Sequence, residues 1–198
     1  MILSILICTT HDRKEMFDKL YAELTSQVSK LNHQHDVEVL FECDNKEISV
    51  GAKRQLLIER SSGDFVVFVD SDDWIPEYYV FNILFQITRS TEVDCVGFLI
   101  DCDMQGVKQS AIASNKYEDW GEDKDGYKYV RTIYHKTPVK RSHALQIGYK
   151  DMRYAEDYDF SSRLKKSGLL VKEAFINQVM YYYRYKFQNH KDKYGIVN

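Results

Sequence analysis

Apolar residues along the chain alternate between two patterns. Short, nearly unbroken runs at Ile2-Leu3-Ser4-Ile5-Leu6-Ile7-Cys8, Val37-Glu38-Val39-Leu40-Phe41, Phe65-Val66-Val67-Phe68-Val69 and Val93-Asp94-Cys95-Val96-Gly97-Phe98-Leu99-Ile100 predict buried strands. Between the first two, Met16, Leu20, Leu24, Val28 and Leu31 recur at helical spacing and predict a helix over about 13–31. A second helix is expected from Val50-Gly51-Ala52-Lys53-Arg54 onward. A third, over about 76–89, carries Tyr79, Phe81, Leu84, Phe85 and Ile87. Strand and helix in alternation predict an α/β fold with a largely parallel sheet.

Beyond about residue 100 the pattern weakens. The stretch of about 101–135 mixes polar, glycine and aromatic residues, including Tyr117-Glu118-Asp119-Trp120. Either a binding flap or a pair of irregular antiparallel strands satisfies it. A helix over about 156–167 is then expected, with Tyr158, Phe160 and Leu164 on one side and Ser167-Gly168 as its stop. Leu169-Leu170-Val171 and Val179-Met180-Tyr181-Tyr182-Tyr183 predict strands, and Lys186 to Asn198 is a polar, basic tail.

The third strand carries the strongest chemical signal. Its apolar run ends abruptly in Asp70-Ser71-Asp72-Asp73, at the carboxyl end of a buried strand, where open α/β sheets hold their ligands. Three carboxylates there repel one another unless a cation or a donor network compensates. Mg²⁺ bridging carboxylate and phosphate oxygens is one such compensation. The rival reading is a solvated acidic turn capping the helix of Pro76, and Asp73 is assigned that role.

Composition narrows the field. The 198 residues suffice for one domain with a sizeable core, and net charge is −3, so no global basic field is available to nucleic acid. No apolar run reaches the length of a bilayer span, and the N-terminus lacks a basic n-region and a small-residue cleavage site. The four cysteines, Cys8, Cys43, Cys95 and Cys102, show no Cys-x-x-Cys pairing. Free thiols in a reducing, cytoplasmic setting are expected.

Three strand ends meet on one edge of the expected sheet. They bring Thr9, Thr10 and Arg13, then Asp44, then the Asp70–Asp73 cluster, with Lys53 and Arg54 beside them. Donors, a base- or ribose-directed carboxylate, cations and a metal-binding cluster together describe a nucleoside diphosphate site. Neither a Gly-x-x-x-x-Gly-Lys nor a Gly-x-Gly-x-x-Gly pattern is present.

With these pieces in order, and with Ala155-Glu156-Asp157-Tyr158-Asp159-Phe160 after them, the chain resembles the family 2 glycosyltransferases of the GT-A fold. The resemblance spans residues 1 to about 100 and resumes over about 150–185. It implies a GT-A (nucleotide-diphospho-sugar transferase) fold: one α/β domain with a mostly parallel central sheet flanked by helices. About 1–100 would bind the nucleotide sugar, about 101–185 the acceptor, and 186–198 would form the tail. It also implies roles. Thr9, Thr10, Arg13, Asp44, Arg54, Asp70, Ser71 and Arg184 would hold the donor, a UDP-sugar for preference. Asp72 would ligate Mn²⁺ or Mg²⁺, joined by a histidine, with His190 the nearest candidate and His135 and His143 the others. Asp157, with Glu156 beside it, would be the general base that deprotonates a hydroxyl of a saccharide or other acceptor in an inverting transfer.

The chain departs from the family pattern at two points. Gln55 stands where asparagine is usual, and Cys43 where a second aspartate often precedes Asp44. The Gln-x-x-Arg-Trp motif of processive synthases is missing, which favours single-sugar transfer. Three alternatives remain at this level. A sugar-phosphate nucleotidyltransferase would need a glycine-rich loop where Thr9-Thr10-His11-Asp12-Arg13 stands. A non-catalytic nucleotide-sugar module would not need Asp72 and Asp157. A transferase acting on modified DNA bases would use the aromatic and basic run Tyr181 to Phe187, for which a packed terminal strand is the preferred reading.

Overall fold

The computed structural model describes residues 1–31, 34–89 and 92–185. His190 and the tail from Lys186 onward lie outside them. The first strand, β1 (Leu3–Thr10), leads through a short 3-10 turn at His11–Arg13 into α1 (Lys14–Ser29). β2 (Val37–Asp44), α2 (Val50–Arg60), β3 (Phe65–Phe68) and α3 (Tyr79–Thr88) follow. The second half comprises β4 (Cys95–Met104), β5 (Val107–Ala113), β6 (Gly121–Lys124), β7 (Tyr127–Arg131), β8 (Val139–Lys140), α4 (Arg141–Ile147), α5 (Glu156–Lys166) and β9 (Glu173–Tyr185).

The nine strands among the described residues join one sheet in the order β2-β1-β3-β8-β4-β5-β7-β6, with β9 beside β4. β2, β1 and β3 are parallel, and β9 runs parallel to β4. Antiparallel pairs enter at β8, in the β4–β5 hairpin and in the β6–β7 hairpin, so the sheet is mixed. The ambiguous stretch of about 101–135 is thus the antiparallel option, with turns at Gln105-Gly106 and Asp125-Gly126 in the left-handed region.

Helices cover both faces, which is why β1 and β3 read as unbroken apolar runs. Leu3, Ile5, Ile7 and Val67 pack toward Leu20 and Leu24 of α1 and Ile83 and Ile87 of α3. Leu6, Val66 and Phe68 pack on the other face with Leu57 and Ile58 of α2, Ala144 of α4, and Phe160 and Leu164 of α5. Period-two alternation along the strand divides these two cores.

Two expectations change, and two elements are new. Leu169-Leu170-Val171 is not a strand: the amides of Val171 and Lys172 bond to Asp94 Oδ2 at 3.0 and 2.8 Å instead of to a neighbouring strand. β8 and α4 had no counterpart in the sequence pattern. Asp73 does not cap the helix after it, because α3 begins at Tyr79 and Asp73 is buried at 4% exposure among polar partners.

Candidate active site

The carboxyl ends of β1 and β3 open into a cleft of about 700 Å³. Thr9, Thr10, Arg13, Arg54, Asp70, Asp72, Glu156, Asp157 and Arg184 all line it. The fold therefore gathers most of the expected site from five separate segments. Asp44 and Ser71 are not among the lining residues. Asp44 is bound to the Lys53 ammonium and accepts the Ile48 amide at 2.9 Å. Ser71 is buried at 1% exposure.

Local sequence explains the placement. Parallel register sets Thr10 opposite Asp44 and Leu6 opposite Phe68, so both strands deliver their polar ends together. Ser49 caps α2, accepting from the Ala52 amide at 3.0 Å, and presents Lys53 and Arg54 inward. Gly51 lets the 150–152 segment touch α2: its amide donates to Met152 O at 3.1 Å, and a Cβ there would lie 2.0 Å from Lys150 O. That contact sets the segment leading to Arg153–Asp157. Ala155 enters α5 through the left-handed region, φ 58°, and Glu156 and Asp157 form the first turn, where a helix favours negative charge.

A buried charge network underlies the cleft floor. Arg54 donates to Asp70 Oδ1 at 3.0 Å and to Glu156 Oε1 at 3.2 Å, with its guanidinium over the Phe68 ring. Asp70 Oδ2 meets Lys136 Nζ at 2.9 Å and His135 Nε2 at 3.2 Å. Burial pushes the Asp70 carboxyl up, yet Lys136, His135 and Arg54 outweigh it and hold it well below the usual carboxylate range. Lys136 also pairs with Asp73 and sits 4.5 Å from the ring centres of Tyr181 and Tyr183; burial lowers its pKa, but Asp70 and Asp73 carry it well above the ordinary value. Asp73 accepts from Tyr181 OH at 2.8 Å and from the Arg184 amide at 2.9 Å, and burial raises its carboxyl to about 6 against the pull of Lys136. Asp73 is thus the anchor that fastens the end of β9 to the acidic turn. Burial likewise raises Glu156.

Asp72 stands apart. Its carboxylate is about a third exposed, faces the cleft and pairs with Arg13 Nη1 at 3.1 Å. Among the described residues no group of three or more His, Cys, Asp or Glu side chains is arranged to hold a metal ion. His135 lines the cleft, whereas His143 lies elsewhere, 3.4 Å from Asp94. Tyr181 is fully buried and Arg184 reaches the cleft, so the described part of the Tyr181 to Phe187 run, up to Tyr185, belongs to the packed strand β9; Lys186 and Phe187 lie outside the described residues. Lys136 is the residue that sequence reasoning missed, and Asp73 the one whose role it misassigned. Lys136 lies 63 positions from Asp73, and the Arg184 amide 111 positions from it, so no local pattern announces these contacts.

No protein-family model matches the chain. A protein of Bacillus subtilis (strain 168) that carries the name glycosyltransferase EpsH is 22% identical over 148 residues, 68% of this chain and 41% of that protein. Among solved structures, S. aureus TarS 1-349 in complex with UDP-GlcNAc superposes with TM-score 0.70 at 15% identity, covering 97% of this chain and 61% of that one. The TarS 1-349 complex with UDP gives TM-score 0.68 at 15% identity over 94% of this chain and 61% of that one.

The fold is GT-A-like.

The superposition covers nearly the whole chain, although the chain spans 41% of the EpsH protein and 61% of the TarS 1-349 chain, less than two thirds of either. Among the described residues no helix is long and apolar enough to cross a membrane.

Proposed function

We propose that the protein is a glycosyltransferase that moves a single sugar from a nucleoside diphosphate sugar, a UDP-sugar for preference, to an acceptor hydroxyl. One observation carries this reading: a single cleft sets a cation-rich acidic turn on one wall and the Glu156–Asp157 helix start on the other. Its volume suits a nucleotide sugar. The EpsH name and the UDP and UDP-GlcNAc complexes of TarS support it from outside.

The walls divide the work. Arg13 and Arg184 line the acidic side and suit a diphosphate, on which charge grows as the glycosyl–phosphate bond breaks. Arg54 and Lys136 also line the cleft but are nearly buried; they pair with Asp70, Asp73 and Glu156 and keep the turn compact, while Arg54 Nη1 has no hydrogen-bond partner. Asp157 is the group to take the acceptor proton. The acceptor O–H bond breaks, its oxygen bonds to the anomeric carbon, and the old C–O electron pair leaves on the diphosphate. One such displacement inverts the anomeric centre.

The donor set also fits a divalent cation. Asp70 has both oxygens engaged, but Asp72 keeps an accessible carboxylate, and Mg²⁺ is usually held by one or two carboxylates together with substrate phosphates. Mn²⁺ or Mg²⁺ on Asp72 would neutralise charge on the departing diphosphate. Calorimetry with UDP and a panel of UDP-sugars, with and without Mn²⁺, paired with UDP-release assays, tests the reading. Saturable binding with sugar-dependent UDP release is expected. No binding at millimolar nucleotide would overturn it.

A further inference from the structure

His135 sits between the two walls and serves neither in the scheme above. Its side chain is 2% exposed. Nε2 meets Asp70 Oδ2 at 3.2 Å, and Nδ1 faces Asp157 Oδ2 at 3.7 Å with no hydrogen bond of its own. The backbone pins it as well, through the Phe68 amide on His135 O at 2.8 Å, and the Tyr134 ring packs edge-on against it.

These contacts fix the tautomer. Asp70 is an ionised acceptor, so the hydrogen bond at Nε2 requires the imidazole to donate there. Nδ1 is buried and makes no hydrogen bond, as a bare lone pair does and a buried N–H would not, so the ring carries its one proton at Nε2. A neutral ring protonated at Nε2 has a bare lone pair at Nδ1. That lone pair points at a carboxylate, an acceptor facing an acceptor. Asp157 is fixed at its other oxygen, since Oδ1 accepts the Tyr158 amide at 2.9 Å. The charged groups that face the ring are Asp70 after β3, Arg54 on α2 and Asp157 on α5.

We propose that His135 is a positioning residue for the transfer step: its Nδ1 lone pair receives the O–H that forms on Asp157 when that carboxylate takes the acceptor proton. The inference rests on the glycosyltransferase reading. In the resting cleft the lone pair and the carboxylate stand apart at 3.7 Å. Once the proton leaves the acceptor oxygen it comes to rest on Asp157 Oδ2, and an Oδ2–H···Nδ1 hydrogen bond replaces the repulsion. The imidazole keeps its own proton at Nε2 throughout, and Asp70 stays ionised. The step balances with no further reactant: one O–H bond is broken at the acceptor and one is made at Asp157. The interaction exists only after proton transfer has begun, so it raises kcat and leaves donor binding alone.

Two near-isosteric variants separate this role from a structural one. His135→Asn keeps a polar atom near the Nδ1 position, facing Asp157, and surrenders the contact with Asp70. His135→Gln keeps a polar atom near Nε2, facing Asp70, and surrenders Nδ1. The probe is Mn²⁺-dependent UDP release from the UDP-sugar found active with the unaltered protein, water being the acceptor, with UDP affinity measured by calorimetry. His135→Gln is expected to lower kcat about tenfold or more with KM for the donor and UDP affinity within about threefold, and His135→Asn to retain the greater share of kcat. Equal kcat in both variants, or a larger loss in His135→Asn, would overturn the inference; so would a loss confined to KM. Absence of UDP release from every UDP-sugar by the unaltered protein would instead overturn the glycosyltransferase reading, so the two failures are distinct.

Discussion

Gly51→Ala is the perturbation that most directly tests how the second wall is held. The new Cβ would lie 2.0 Å from Lys150 O, and real Cβ contacts essentially never fall below 3.0 Å, so the backbone of the 150–152 segment must retreat by at least about 1 Å. That retreat breaks or stretches the Gly51 amide bond to Met152 O, worth about 1 kcal/mol, and overpacking adds about 1–3 kcal/mol. Alanine gains at most about 1 kcal/mol of helix propensity in α2, so the clash wins. The net loss of about 1–3 kcal/mol corresponds to a fall in Tm of about 3–10 °C for a chain of this size. The same retreat carries Arg153 to Asp157 with it, and a misplacement of about 1 Å at a reacting group costs about 100-fold in rate. Thermal denaturation and UDP release measured on the same preparation check both halves. A variant with unaltered Tm would refute the close-approach argument. A destabilised variant with undiminished kcat would refute the link between this contact and Asp157.

The remaining expectations concern single side chains. Asp72→Ala should abolish Mn²⁺-dependent UDP release while leaving Tm within about 2 °C, because the side chain is partly exposed and pairs only at the surface with Arg13; metal-dependent turnover in that variant would exclude Asp72 as the holder. Asp157→Asn should lower kcat about 100- to 10,000-fold with UDP affinity preserved, and matching losses in both would remove Asp157 as base. Lys136→Met leaves Asp70 and Asp73 without their shared cation and should cost about 3–5 kcal/mol in urea unfolding; a loss below about 1 kcal/mol would show that the carboxylates find other compensation.

The first half of the fold was legible because its strands are covered on both faces, which writes them as apolar runs, and because α1 carries its core residues at helical spacing. The strand ends then announced Thr9, Arg13, Asp70 and Asp72 as neighbours. What the sequence concealed depends on contacts made across the chain. β8 is two residues long, too short for any periodicity to register. Leu169-Leu170-Val171 has strand composition, but the Asp94 carboxylate captures the amides that a ladder would use. Asp73 reads as a helix cap by its neighbours and becomes an anchor only because Lys136, Tyr181 and the Arg184 amide arrive around it. His135 was named as a metal-ligand candidate; its actual neighbours, Asp70 and Asp157, come from separate segments of the sequence.

The anchoring of Asp73 by β9 also sets a schedule. The acidic turn is synthesised before its anchor: the amide that ties it down belongs to Arg184, 111 positions later. At a synthesis rate of about 5–20 residues per second, the turn waits about 6–20 s for its last partner. Throughout that interval the growing chain carries its carboxylates without the strand that fastens them. Assembly of the donor wall therefore waits on β9, and any stall between residues 73 and 184 prolongs the period in which the acidic turn exists without that anchor.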